Sequence, residues 1–321
     1  MKPMGRKRKG NPVHGWVVID KPSGAASTEV VGIVKRVFEA QKAGHAGTLD
    51  PMASGVLAVA LGEATKTVPY AMEAEKTYSF TACWGENRDT DDAEGRPIAL
   101  SSHRPSTADI EAGIPQFVGC ISQVPPCYSA IKVDGERAYD LAREGETPEL
   151  KSREVAIHEA RLVAVPDRDH AEFEMRCGKG AYVRAWVRDL AAALGTCGHV
   201  SRLRRHRIGR FTVEDAIPLE KLRSFMHSPA AFEHLRPIST ALDGIPALAV
   251  TASDAIRLRC GHSILVRANL FARIREEVPA HEEDLQGLTV YLSSTQGEPV
   301  ALAELAGGEL KPFRVFNFGT G

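Results

Sequence analysis

No apolar run in the chain approaches the roughly 20 residues that a membrane-spanning helix needs, which excludes a helical membrane protein. The N-terminus, MKPMGRKRKGNP, is basic but lacks the apolar stretch of a secretory signal, so the expected location is the cytoplasm. Six cysteines (Cys83, Cys120, Cys127, Cys177, Cys197 and Cys260) contain no C-x-x-C pair. That absence removes the usual zinc cage, and a reducing compartment disfavours disulfides, so the cysteines read as mostly small core residues. No G-K-[ST] follows the glycines of GHAGTL, and GEATK at 62–66 lacks the spacing of a Walker-type phosphate loop. No internal repeat is visible, and no low-complexity tract lies beyond the N-terminal arm.

What is present suits one large and one smaller globular domain: 321 residues, 43% hydrophobic and 25% charged. The net charge of −1 conceals an uneven distribution. Arg176, Lys179, Arg184, Arg188, Arg202, Arg204, Arg205, Arg207 and Arg210 crowd one stretch in which Asp189 is the only acid. Such a belt suits phosphate contacts on a polyanion, or else a solvated face.

Residues 1–12 read as a flexible basic arm, and 13–245 as one α/β body with strands and helices interleaved. GWVVIDKPSG gives a strand and a turn. STEVVGIVKRVFEA gives a helix with Ser27 or Thr28 as N-cap and Val30, Val31, Val34 and Val37 on its apolar face. EKTYSFTACWG alternates as a strand, and NRDTDDAEGRP is a polar turn. A short helix is expected in TADIEAGIPQFVG, another over 136–143, and a further one in VRAWVRDLAAALG, ended by Gly195. From 246 to 321, short runs such as SILVRAN, LTVYLSS, PVALAEL and PFRVFNF predict a small, mainly β module.

The stretch AGHAGTLDPMASGVL, residues 43–57, holds one carboxylate among glycines and a proline. Pro51 biases Asp50 towards an extended backbone, and glycine lets a chain approach closely. Alone, such an aspartate is usually a turn cap. Downstream, Arg184 in GAYVRAWVRDL is costly to bury without a carboxylate, and pairing with Asp50 would orient that acid as a nucleophile or base. Tyr78 in EKTYSF is either a packing residue or a platform for a base, and His45 either satisfies a turn or stacks.

Taken in order, GWVVIDKPSG, AGHAGTLDPMASGVLAVALGEATK, EKTYSF, WGENRDTDDAEG, VPPCYSAIKVDGERAYDLAREG and GKGAYVRAWVRDLAAALG resemble the TruB family, the bacterial tRNA pseudouridine-55 synthases. The resemblance runs from about Gly15 to about Leu222, and is looser for the PUA-like C-terminal domain, where LKPFRVF is its best piece. It implies an α+β catalytic domain with a central mixed or antiparallel sheet, and a PUA-like RNA-binding domain at 246–321. The implied reaction turns uridine 55 of the tRNA T-loop into pseudouridine by base flipping, without metal or organic cofactor.

By motif, the resemblance makes Asp50 the catalytic residue and Arg184 its partner. Tyr78 then stacks on the base, and His45 takes the place of extruded bases. Tyr182 and Leu203 belong to the substrate pocket, Asp92 is an acid near it, and an insertion at about 124–152 grips RNA. The implied partner is the T-loop and stem of tRNA, bound by a monomer with no obligate protein partner and with an accompanying tRNA-folding activity possible. Arg204 and Arg205 are expected to serve binding through the basic belt. Two other readings fit parts of the pattern: an RNA-guided pseudouridine synthase of the archaeal and eukaryotic kind, and a non-catalytic RNA-binding protein or tRNA chaperone.

Overall fold

A computed structural model describes residues 10–129, 131–133, 136–143, 150–278 and 285–318. Most of the N-terminal arm and part of the 124–152 insertion therefore lie outside the described residues. Among those described, no helix is long and apolar enough to cross a membrane.

Alternation of side chains builds the first sheet. In the strand Lys76–Trp84 every second residue (Lys76, Tyr78, Phe80, Ala82, Trp84) is buried, and in His170–Cys177 the buried set is Ala171, Phe173, Met175 and Cys177. Across the sheet the strands run Ile217–Pro218, Gly15–Lys21, Ser54–Leu61, Gly198–Ile208, Lys76–Trp84, His170–Cys177, Arg153–Asp167 and Gly119–Gln123. Two neighbouring pairs are parallel, Gly15–Lys21 with Ile217–Pro218 and Ser54–Leu61 with Gly198–Ile208; the others are antiparallel. Two short strands, Ala43–His45 and Phe211–Thr212, pair at the sides. The sheet is mixed, as the sequence resemblance implies.

Ser54–Leu61 is covered on both faces. Leu57, Val59 and Leu61 enter a core shared with the helix Ser27–Val37, whereas Val56, Ala58 and Ala60 enter a second core on the other side. That arrangement explains an unbroken apolar run where a half-exposed strand would alternate. The helix Val183–Ala193 docks on the first face through Trp186, edge-on to Phe80 at 5.6 Å and to Phe173 at 5.5 Å. This packing fixes the N-terminal turn of the helix, where Arg184 sits.

The helix Ser27–Val37 forms as expected, with Val30, Val34 and Val37 buried and Val31 at the margin. Its N-cap, however, is Ala26, with no side-chain cap. The Ser27 hydroxyl is committed instead to the backbone of Leu49, a contact between distant segments that local capping rules do not anticipate.

A second sheet orders Ala247–Val250, Thr289–Ser294, Pro299–Ala306, Glu309–Val315 and Ile264–Leu265. The chain is thus α+β, with a separate mainly β unit at its C-terminal end. Two helices there, Ala252–Arg259 and Ala268–Glu277, were not expected from the sequence. The first buries only Asp254, Ala255 and Leu258, too few positions to show helical periodicity. Tyr291, Leu302 and Phe316 from this unit join the second core behind Ser54–Leu61, so the two sheets pack together.

Candidate active site

The loop that carries Asp50 is held by buried donors acting on its backbone. Gly47 adopts φ +83°, a left-handed turn in which a side chain would be strained. Ser27 Oγ accepts from Leu49 N–H at 3.0 Å and donates to Leu49 C=O at 2.7 Å. Lys21, fully buried, donates through Nζ to the carbonyls of Ala25 at 2.7 Å, Pro22 at 3.0 Å and Pro51 at 3.1 Å. Arg205, 1% exposed, donates to Val56 C=O at 2.8 Å, Gly47 C=O at 3.1 Å and Thr48 C=O at 3.3 Å. With its neighbours' backbone pinned, Asp50 keeps its side chain 28% exposed.

Arg184 meets that carboxylate from the helix Val183–Ala193. Its Nε lies 2.9 Å from Asp50 Oδ2, an ion-pair contact off the angle of a hydrogen bond, and its Nη1 lies 3.3 Å from Asp92 Oδ2. Nη1 also donates to Thr90 C=O at 2.7 Å and Nη2 to Tyr128 C=O at 2.9 Å. Asp92 is itself buried and accepts from Thr90 Oγ1 at 2.6 Å and Glu94 N–H at 3.0 Å. A guanidinium desolvated to this degree needs such a full set of partners. Glu94 stands beside both acids, and its carboxyl is raised by burial and then by Asp92 and Asp50.

A cavity of about 310 Å³ opens at the carboxylate, lined among others by Asp50, Lys76, Tyr78, Tyr182, Arg184, Leu203 and Arg205. Burial pushes the Tyr78 phenol up to about 12, which keeps it protonated at neutral pH. Lys76 donates to Met72 C=O and Ala74 C=O, and burial pushes its ammonium down to about 8. Tyr182 is clamped through its backbone by Gln123, which donates to its carbonyl at 3.1 Å and accepts from its N–H at 2.8 Å. Arg153 lies over the Tyr182 ring at 5.2 Å.

Of the residues expected from the sequence, Asp50, Tyr78, Tyr182, Arg184 and Leu203 share this cavity, and Asp92 stands behind Arg184. His45 ends the edge strand Ala43–His45 opposite Val59 and is not among the lining residues. Among the described residues no group of three or more His, Cys, Asp or Glu is placed to hold a metal ion.

The basic belt does not form one surface. On the strand Gly198–Ile208, Leu203 and Arg205 line the cavity, whereas Arg202 and Arg204 stand opposite Thr81 and Ser79 and line an adjoining hollow that Leu203 also borders. Arg204 pairs with Asp20 at 3.0 Å, Arg188 with Asp91 and Asp189 at 2.9 Å, and Arg176 and Arg207 share Glu75. Acids distant in sequence thus answer charges that look unopposed locally. Arg205 in particular is a buried brace, not a surface phosphate contact. Its signal in the sequence is its place two residues after Leu203, on the inward side of an alternating strand. Lys21, Ser27 and Gln123 have no comparable local signal, since their partners lie in distant segments.

Residues 35–183 match the model described as "TruB family pseudouridylate synthase (N terminal domain)", and 184–243 match "tRNA pseudouridylate synthase B C-terminal domain". The junction falls inside the helix that presents Arg184, so the Asp50–Arg184 pair draws on both segments. The chain is 52% identical over 318 residues to the tRNA pseudouridine synthase B of Caulobacter sp. (strain K31), covering 98% of this chain and 99% of that protein. It is 51% identical over 327 residues to that of Bradyrhizobium diazoefficiens, covering 98% and 91%. Among solved structures, a chain of a Cbf5–Nop10–Gar1 complex aligns with a TM-score of 0.70 at 25% identity, covering 94% of this chain and 85% of that one. The chain belongs to the TruB family of pseudouridylate synthases.

Proposed function

We propose that this chain is a tRNA pseudouridine synthase that isomerises uridine 55 of the T-loop, acting without a guide RNA or protein partner. The observation that carries the reading is the Asp50–Arg184 pair at the mouth of a cavity walled by Tyr78, Tyr182 and Leu203. At about 310 Å³ the cavity is of a size for one flipped nucleoside, which must leave its stack to be reached.

Arg184 engages Asp50 Oδ2 and leaves Oδ1 for the substrate. As nucleophile or base, Asp50 acts at the sugar or the ring of the extruded uridine, and Tyr78 and Leu203 hold the base. Breaking N1–C1′ and rejoining through C5 changes neither oxidation state nor composition. Asp92 is a positioning residue, since it acts through Arg184. His45, two residues before the cavity-lining Gly47, supports the RNA where bases are drawn out, and the C-terminal sheet is a PUA-like docking unit for tRNA. The protein acts as a monomer.

The likeness to the Cbf5 chain favours a second reading, an enzyme directed by a guide RNA with partner proteins. The two separate in one experiment. Purified protein incubated with an unmodified tRNA transcript alone should yield pseudouridine at position 55. Product formed only after a guide RNA and partner proteins are added would favour the second reading.

A further inference from the structure

Arg205 stands opposite Tyr78 on the neighbouring strand, is 1% exposed, and lines the same cavity as Asp50. Its guanidinium donates to three backbone carbonyls, and its charge acts on the Tyr78 phenol beside it. Among the described residues it makes no ion pair; the acid of the loop it braces, Asp50, is engaged by Arg184 instead. Donating to carbonyls does not in itself require a charge, because a neutral amide N–H does the same. A buried cation without a carboxylate is costly, and a charge that develops in the cavity during reaction would offset that cost.

We propose that Arg205 is a positioning residue that stabilises the uracil ring as it leaves the ribose, through the Tyr78 hydroxyl and through its own field in the cavity. The proposal rests on the uridine isomerisation proposed above. When N1–C1′ breaks, the bonding pair stays on the ring, and uracil departs as an anion shared by N1, O2 and O4. C1′ is left electron-poor beside the Asp50 carboxylate. The ring turns, C5 bonds to C1′, the C5 proton leaves, and N1 regains a proton, so the isomerisation balances without another reagent.

Next to the Arg205 charge the Tyr78 O–H is polarised, which strengthens it as a donor into the cavity, towards a ring carbonyl. Burial keeps that proton in place. Lys76 shares the cavity, but burial lowers its pKa to about 8, so its charge fades in mild alkali whereas a guanidinium keeps its charge.

The test compares single-turnover cleavage of the N-glycosidic bond in two tRNA transcripts, one with uridine and one with 5-fluorouridine at the target. Fluorine withdraws electrons and makes the departing ring anion stable with less help. Arg205→Gln should slow the uridine substrate by roughly 100-fold, the scale of losing one preorganised donor. It should slow the fluorinated substrate several-fold less and leave tRNA affinity within a few-fold, while Arg205→Lys recovers part of the rate. Equal slowing of both substrates would mean that Arg205 only holds the loop, and would overturn the proposal, as would an unslowed Arg205→Gln. Thermal unfolding shows whether Arg205→Gln folds. If it does not, Tyr78→Phe replaces it, with the same unequal slowing expected and equal slowing contradicting the proposal. Wild-type protein that converts neither substrate would defeat the isomerase reading itself.

Discussion

Arg184 Nε stands 2.9 Å from Asp50 Oδ2 while Nη1 of the same side chain reaches buried Asp92 Oδ2 at 3.3 Å. One guanidinium thus ties the partly exposed acid to a buried one, and its remaining donors go to Thr90 and Tyr128 carbonyls. The reactive loop cannot shift without disturbing all four.

Arg184→Lys should therefore fail despite retaining the charge, because an ammonium cannot span those partners. We expect turnover to fall by at least about 100-fold with tRNA affinity within several-fold. Arg184→Ala leaves Asp92 buried and unpaired, and should also cost about 3–5 kcal/mol of stability in urea unfolding. A fully active Arg184→Lys would show that the network does not position Asp50.

Ser27 is the sharpest case of a residue read for the wrong reason. From the sequence it is, with Thr28, one of two candidate helix caps; in the fold it both accepts from and donates to Leu49. Ser27→Ala should lower stability by about 1–3 kcal/mol and reduce kcat more than tRNA affinity. Gly55→Ala is harsher. With φ +99°, its new Cβ would meet the Arg205 carbonyl oxygen at 2.2 Å, so soluble folded protein is not expected. A folded, active Gly55→Ala enzyme would contradict this packing. The close approach at Gly55 is to the backbone of the protein's own strand Gly198–Ile208.

Lys76 gives a pH dependence of definite sign. Burial lowers its pKa from 10.5 to about 8, so between these values the folded chain has released a proton that the unfolded chain still holds. Stability contributed by this group then rises with pH across that window, by up to about 3 kcal/mol, and is flat below pH 8. Urea unfolding of wild type and Lys76→Met should diverge in wild type's favour between pH 8 and 10. A constant difference would refute the assignment.

The belt from Arg176 to Arg210 divides by strand alternation, and its substitutions should divide likewise. Arg202→Ala with Arg204→Ala should leave tRNA affinity within a few-fold, since neither lines the cavity at Asp50 and Arg204 is paired with Asp20. Arg153→Ala and Lys179→Ala, at the cavity, should weaken binding and flatten its salt dependence. The opposite pattern, measured by filter binding from low to moderate salt, would restore the continuous belt.

Legibility followed the range of each interaction. Asp50, Tyr78 and Arg184 took their roles from the family resemblance of their segments, since singly each also fits a turn, a packing position or a surface. The strand Lys76–Trp84 and the helix Val183–Ala193 could be placed because alternation and helical spacing are local patterns. Arg205 was misassigned since charge counting ignores side-chain direction, and period-two alternation with Leu203 is what separates it from Arg204. Lys21, Ser27 and Gln123 act on backbone atoms of distant loops, and composition carries no trace of that. The helices Ala252–Arg259 and Ala268–Glu277 bury only two or three side chains each, too few to show helical spacing.

The most direct test is single-turnover conversion of an unmodified tRNA transcript by purified protein, with pseudouridine mapped by position, for wild type and Asp50→Asn. Wild type should modify position 55 alone, and Asp50→Asn should bind the transcript within several-fold and form no pseudouridine. Pseudouridine from Asp50→Asn, or modification by wild type at other positions with 55 untouched, would contradict the assignment of Asp50 and of the site.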